Sequence, residues 1–238
     1  MSPRWTVGFA AWAGVLSIGV ANAAVLGGLT PTSLVALNQS GSSGAPTVLT
    51  CDNFSLSAAT GTALASRPVQ LPAKCGSGTW AVNNGSWSIG SGELNPGGGG
   101  ATATISAGQT DVSAEATVLN ANGGGRVAGV AVDHTGTTRI YLAGVLVGPS
   151  TAELRLVNGG SVTTLTSAAT TITATTVVRI TRSGTAVTVS VNGVLTISYT
   201  LTAGQVTTLS GGTRVGLYYD SGSAIRFTNM VATTPAAP

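Results

Sequence analysis

The side chains able to do acid–base, metal or redox chemistry are few in this 238-residue chain: seven carboxylates, one histidine and two cysteines. Glycoside cleavage needs two carboxyl groups flanking the bond, one as acid and one as base or nucleophile, ~5–9.5 Å apart. The nearest pair in sequence, Asp111 and Glu115, falls on one strand face about 13 Å apart at ~3.3 Å per residue. Asp52, Glu93, Asp133, Glu153 and Asp220 are more widely spaced still. His134 lies in D-H-T-G-T-T, a composition that reads as a solvated hairpin turn, and any Ser-His-acid triad would have to include it. Three or four zinc ligands cannot be assembled from this supply, and no G-x-x-x-x-G-K phosphate loop occurs. No catalytic residue is assigned. Cys51 and Cys75, with no metal partners and no C-x-x-C spacing, read as a structural disulfide in an exported chain.

The elements that must position these residues are β-strands. In Thr176–Tyr199 the dipeptides Ser183-Gly184 and Asn192-Gly193 separate three β-rich runs, and Asn-Gly favours the type I′ hairpin turn. Val187, Val189 and Val191 alternate with Thr188 and Ser190, one apolar face against one polar face. The same grammar fills the chain from Val48 onward. A first strand is expected at Val48–Leu56, then short runs around Trp80 and Trp87 joined by Asn83-Asn84-Gly85. A glycine break follows at Gly97–Gly100, and then Ala101–Ser106, Asp111–Leu119, Gly125–Asp133 and a doubly apolar Thr138–Val147. Ala152–Val157, Val162–Thr166, the meander, Thr213–Tyr219 and Ala224–Val231 complete the set. Roughly a dozen short strands at this spacing predict an all-β sandwich or barrel, and no stretch after the leader has helical periodicity.

Residues 1–23 read as a secretory leader with Arg4, an apolar run and the A-x-A site Ala21-Asn22-Ala23. Left uncut, the apolar run to Leu29 reaches the ~20 residues that span a bilayer, so the segment is a signal peptide or a membrane anchor helix. Residues 24–47 read as a flexible tether, 48–232 as one domain and 233–238 as a disordered tail. Only 7% of residues are charged and no Lys/Arg run exists, which argues against a nucleic-acid partner. The membrane is expected to be met only through the N-terminal segment.

The frame D-N-F at Asp52–Phe54, W-A-V-N-N-G-S-W-S-I at Trp80–Ile89 and G-E-L at Gly92–Leu94 resembles the opening of bacterial concanavalin A-like, laminin G-like jelly-roll modules. V-R-I-T-R-S-G-T-A-V-T-V-S-V-N-G at Val177–Gly193, R-V-G-L-Y at Arg214–Tyr218 and I-R-F-T-N-M at Ile225–Met230 are similar to their later strands. The resemblance implies an antiparallel two-sheet jelly-roll sandwich used for glycan binding, adhesion or, in some branches, glycoside cleavage. The cleaving branches carry E-x-D-x-x-E, which this chain lacks. The reading is therefore an exported, non-catalytic module for a neutral polysaccharide or cell-surface glycan. The alternatives are a structural or adhesive surface protein with no sugar site, or a glucanase-type hydrolase. Sugars stack their C–H faces on aromatic rings, so Tyr141 and Tyr218 are the expected stacking residues. Arg139 and Glu115, placed on strands with charges that seek a wet face, are the expected hydroxyl partners. Some members of the family hold calcium near the paired chain ends. Asp52 and Asn229 are the residues at matching positions, although Thr228 stands where an aspartate is frequent. No other cofactor is implied.

Overall fold

The computed structural model describes residues 45–54, 62–69, 75–76 and 78–236; the leader and most of the tether lie outside them. Among the described residues fourteen strands occur in chain order. They are β1 (Val48–Asp52), β2 (Thr62–Ala63), β3 (Ala81–Gly90), β4 (Glu93–Ser106), β5 (Ser113–Leu119), β6 (Val127–His134) and β7 (Tyr141–Val147). They continue with β8 (Thr151–Asn158), β9 (Ser161–Ala169), β10 (Thr175–Ser183), β11 (Ala186–Val191), β12 (Val194–Thr200), β13 (Arg214–Ser221) and β14 (Arg226–Thr233). A short helix, α1 (Ala203–Thr208), lies between β12 and β13, closed at its start by a capping box between Thr202 and Gln205.

The hydrogen-bonded order is β12-β11-β10-β5-β14-β4-β13-β6-β7-β8-β9, with β1 added to β14, and β2 and β4 on either side of β3. Every pairing is antiparallel. Strand β4 joins the two halves of this path. Its start touches β14 through Leu94 and Phe227, and its end runs beside β13. The glycines expected to break the chain at Gly97–Gly100 lie inside this one strand. Gly98 and Gly100 adopt φ of 81° and 67°, so the strand bends where only glycine turns without strain. The residues after Trp80 and those around Trp87 likewise form the single strand β3, with Trp80 just ahead of it. Asn83-Asn84-Gly85 is a bulged stretch, not a turn, because the register to β4 shifts on both sides of Asn84.

Folding at β4 stacks the two halves, with β10 over β6 and β7, and β11 and β12 over β8. Alternation decides which side chains enter between them. Val178 and Ile180 of β10, Val187 and Val189 of β11, Val130 and Val132 of β6, and Val215 and Leu217 of β13 all belong to one buried cluster. Gly144 of β7 lets the layers approach, since a β-carbon there would lie 3.1 Å from Ile180 and 3.2 Å from Val189. The meander matches its expected form, and Asn192 and Gly193 both take positive φ at its second turn.

Cys51 and Cys75 form a disulfide with Cα atoms 4.7 Å apart. Beside it, the buried Asp52 carboxylate accepts from Trp80 Nε1 at 2.8 Å, from the Phe54 amide at 2.8 Å and from Arg67 at 3.1 Å. Thr233, placed in the tail by its composition, is the last residue of β14, and the Thr234 amide donates to Thr47. The ordered domain thus extends past residue 232.

Candidate functional site

The sheet β4-β13-β6-β7-β8-β9 has an inner face in the main core and an outer face with its own cluster. Val127, Ala131, Tyr141, Ala143, Val145, Val157 and Tyr218 form the latter. Strand register sets this face out in rows, because directly paired residues share a side. One row reads Thr104, Gly216, Ala131, Ala143, Arg155, Thr164. The next reads Thr102, Tyr218, Gly129, Val145, Glu153, Ser167. The centre is floored by glycine, alanine and valine, and the polar and aromatic groups stand around it.

Arg155 lies across that floor. Its Nε donates to Glu153 at 2.7 Å, and its Nη1 reaches Asp220 of β13 at 3.3 Å. Strands β8 and β13 are separated by β7 and β6, about 14 Å at the usual strand spacing, so the side chain must run over Ala143, Ala131 and their neighbours. Small residues beneath it are the physical requirement for this path. The guanidinium also faces the buried Tyr218 hydroxyl, without the alignment of a good hydrogen bond. Burial raises the pKa of both tyrosines, Tyr141 and Tyr218.

At the other end of the face an aromatic row forms. The His134 ring stacks on Tyr141 with centroids 4.7 Å apart, and Tyr141 meets Tyr218 at 6.0 Å. His134 is fully buried, so the reading of it as a solvated turn residue is corrected. The cause is local. Asp133 takes φ of 56°, a bulge that turns its carboxylate into the space between the sheets and His134 onto the outer face. There Asp133 meets Arg182 of β10 at 2.7 Å, an ion pair without linear hydrogen-bond geometry. Burial pushes the Asp133 carboxyl up to about 6, against the opposing pull of Arg182.

His134 Nδ1 accepts from the Gly136 amide at 2.8 Å, so the neutral ring carries its proton on Nε2. That Nε2 is buried without a partner, as is Thr102 Oγ1. Burial first, then the positive charges of Arg214 and Arg139, lower the His134 pKa to about 4. The loop carrying Arg139 is held by Asn83, whose Nδ2 donates to Gly136 O at 3.2 Å, and by the Ile140 amide donating to Thr135 Oγ1 at 3.2 Å.

Of the four residues singled out for ligand contact, the fold brings three together. Tyr141 and Tyr218 belong to the same outer cluster, although they are only 3% and 1% exposed. Arg139 stands next to them but not on a strand, since it precedes β7 with φ of 51°. Glu115 lies elsewhere, on β5 of the opposite sheet, where it accepts from Arg179 Nε at 2.8 Å. Asp52 and Asn229 lie near each other, because Asp52 pairs with Met230, but the Asp52 oxygens are already engaged as described above. Among the described residues no three His, Cys, Asp or Glu side chains cluster. His134, Thr102, Arg155 and Asp220 escape a reading of the sequence. Only Arg155 has a local signal, the Glu153-x-Arg155 alternation that sets both on one face.

The fold is the concanavalin-like jelly-roll sandwich. No protein-family model and no curated protein sequence matches the chain. A GH43 protein from Bacillus licheniformis, BlXynB, superposes with a TM-score of 0.54 at 16% identity, over 78% of this chain and 39% of that one. The carbohydrate-binding module CBM66 from Bacillus subtilis gives 0.48 at 11% identity, over 66% of this chain and 92% of its own. The exoplasmic/lumenal domain of VIP36, in a Ca²⁺/Man3GlcNAc-bound form, gives 0.44 at 15% identity, over 67% and 84%.

Proposed function

We propose that this is an exported, non-catalytic module that binds a glycan on the outer face of β4-β13-β6-β7-β8-β9. The observation that carries the reading is the pair of buried, unpartnered polar atoms, His134 Nε2 and Thr102 Oγ1, beside Tyr141 and Tyr218. A buried polar atom left unpaired costs ~1–3 kcal/mol, and such exceptions ask for a cause. Sugar hydroxyls both donate and accept, so one ligand can serve the His134 N–H, the Thr102 hydroxyl and the Arg155 guanidinium. Export is supported by the disulfide, which persists in oxidising compartments. A hydrolase would need a carboxyl free to give its proton to the leaving oxygen; Glu153 and Asp220, the carboxylates of this face, accept from Arg155 instead.

The test is retention of the full-length exported protein on a glycan array, with Tyr218→Phe and Thr102→Val as variants. Each removes one hydroxyl and keeps the shape, so folding is preserved while affinity falls roughly 3- to 10-fold. Retention of no glycan, or variants that bind as well as the parent, would sink the assignment in favour of a structural surface protein. Tyr141→Ala serves as a harsher control, because it also removes the ring on which His134 stacks.

A further inference from the structure

The charges on this face are unevenly matched. Arg155 takes both nearby carboxylates, Glu153 and Asp220. Arg214 gives Nε to Thr104 Oγ1 at 2.8 Å and Nη2 to Thr104 O at 2.9 Å, both uncharged acceptors. Among the described residues neither Arg214 nor Arg139 forms an ion pair with a carboxylate. The charges of both act on one group, His134, with the Arg139 guanidinium lying over Gly160 at the β8–β9 turn. His134 pairs directly with Arg214 across β6 and β13, and Arg139 precedes by two residues the Tyr141 ring on which His134 stacks. The His134 Nε2–H has no acceptor. One corner of the face therefore holds two uncompensated cations and a buried donor, in a chain that carries few charges of either sign.

Resting on the glycan reading above, we propose that the ligand is an acidic sugar whose carboxylate docks at the corner formed by His134, Arg139 and Arg214. A carboxylate there accepts from His134 Nε2–H and from the Arg139 guanidinium, whose fork geometry matches two oxygens. It also supplies the negative charge that the corner lacks. The expectation of a neutral polysaccharide rests mainly on the resemblance, with support from low overall charge; the fold sets Arg155 and Arg214 on one face with Arg139 beside it. The depressed pKa of His134 has burial as its first cause, and the charges of Arg214 and Arg139, offset by no anion, add to it.

The experiment is calorimetric titration of the full-length exported protein with oligogalacturonate, with the same oligomer as its methyl ester, and with acetate. The acid form should bind roughly tenfold tighter than the ester. Arg139→Gln should bring acid and ester to near equality while ester binding persists, and Arg139→Lys should restore part of the difference. The His134 ring resonances should titrate at higher pH in the complex with the acid. Equal affinity for acid and ester in the parent overturns the carboxylate assignment and leaves glycan binding intact. Binding of neither oligomer overturns both. Acetate binding as tightly as the oligomer shows an anion site without a sugar, and an unchanged Arg139→Gln variant removes the corner from the ligand; either result sinks the inference.

Discussion

At the scale of single residues, Asp133 and His134 are neighbours that burial drives in opposite directions. Asp133 titrates at about 6 when folded against its ordinary 3.8, and His134 at about 4 against 6.5. The raised carboxyl stabilises the fold below about pH 4, and that contribution is lost as pH rises to about 6. The lowered imidazole stabilises the fold above about 6.5, and that contribution is lost as pH falls to about 4. Each is worth on the order of 3 kcal/mol from the size of the shifts, so within the window between pH 4 and 6 they oppose one another. Relative to the parent, His134→Gln should therefore gain stability on acidification from pH 6 to 4, and Asp133→Asn should lose it. Urea midpoints across that window measure both, and slopes of the same sign in the two variants would contradict the account. The mechanism is legible only in the structure. Nothing in D-H-T-G announces that a left-handed backbone at Asp133 will send adjacent side chains to opposite faces of a sheet.

Among the elements, β1 and the segment ahead of Trp80 are fastened twice. One tie is the Cys51–Cys75 disulfide, and the other is Asp52 holding Arg67 and Trp80. A cross-link closing a loop of 24 residues' separation contributes about 3 kcal/mol by restricting the unfolded chain. Reduction of the native protein should lower its Tm by roughly 6–12 °C for a domain of this size, read by calorimetry with and without reductant. Mass spectrometry of unreduced protein should find no free thiol, and two alkylatable cysteines would refute the pairing. This element is readable from its residue types, because two cysteines without metal partners or C-x-x-C spacing have one partner each. The bend in β4 reads as a break, since glycine runs mark a loop and a kinked strand equally well; only pairing on both sides of Gly97–Gly100 tells them apart.

For the whole molecule, the sandwich closes through β4, and the sheet path ends at β12 and β9, which meet across the two layers. Export is the property that the N-terminal residues are expected to govern. N-terminal sequencing of exported material should begin at Ala24, whereas intact Met1 in the membrane fraction would establish an anchor. Either outcome leaves the domain from Val48 to Thr234 with the same core and the same outer face.

The fold class, the meander and the disulfide are written in local terms: a period of two in hydrophobicity, Asn-Gly turns and an isolated pair of thiols. Residue type alone also brings Tyr141 and Tyr218 forward. What those tyrosines stand beside is set by long-range pairing. Glu115 goes to the opposite sheet because β5 pairs with β10 and β14, a choice with no local signature. His134, Thr102 and Arg155 join the tyrosines because strands β4, β6, β8 and β13 share one sheet while far apart along the chain. Alternation says that a side chain faces one side or the other of its strand. Which face becomes the core is settled only when the second sheet folds over it, and a single bulge then suffices to exchange one residue for the next.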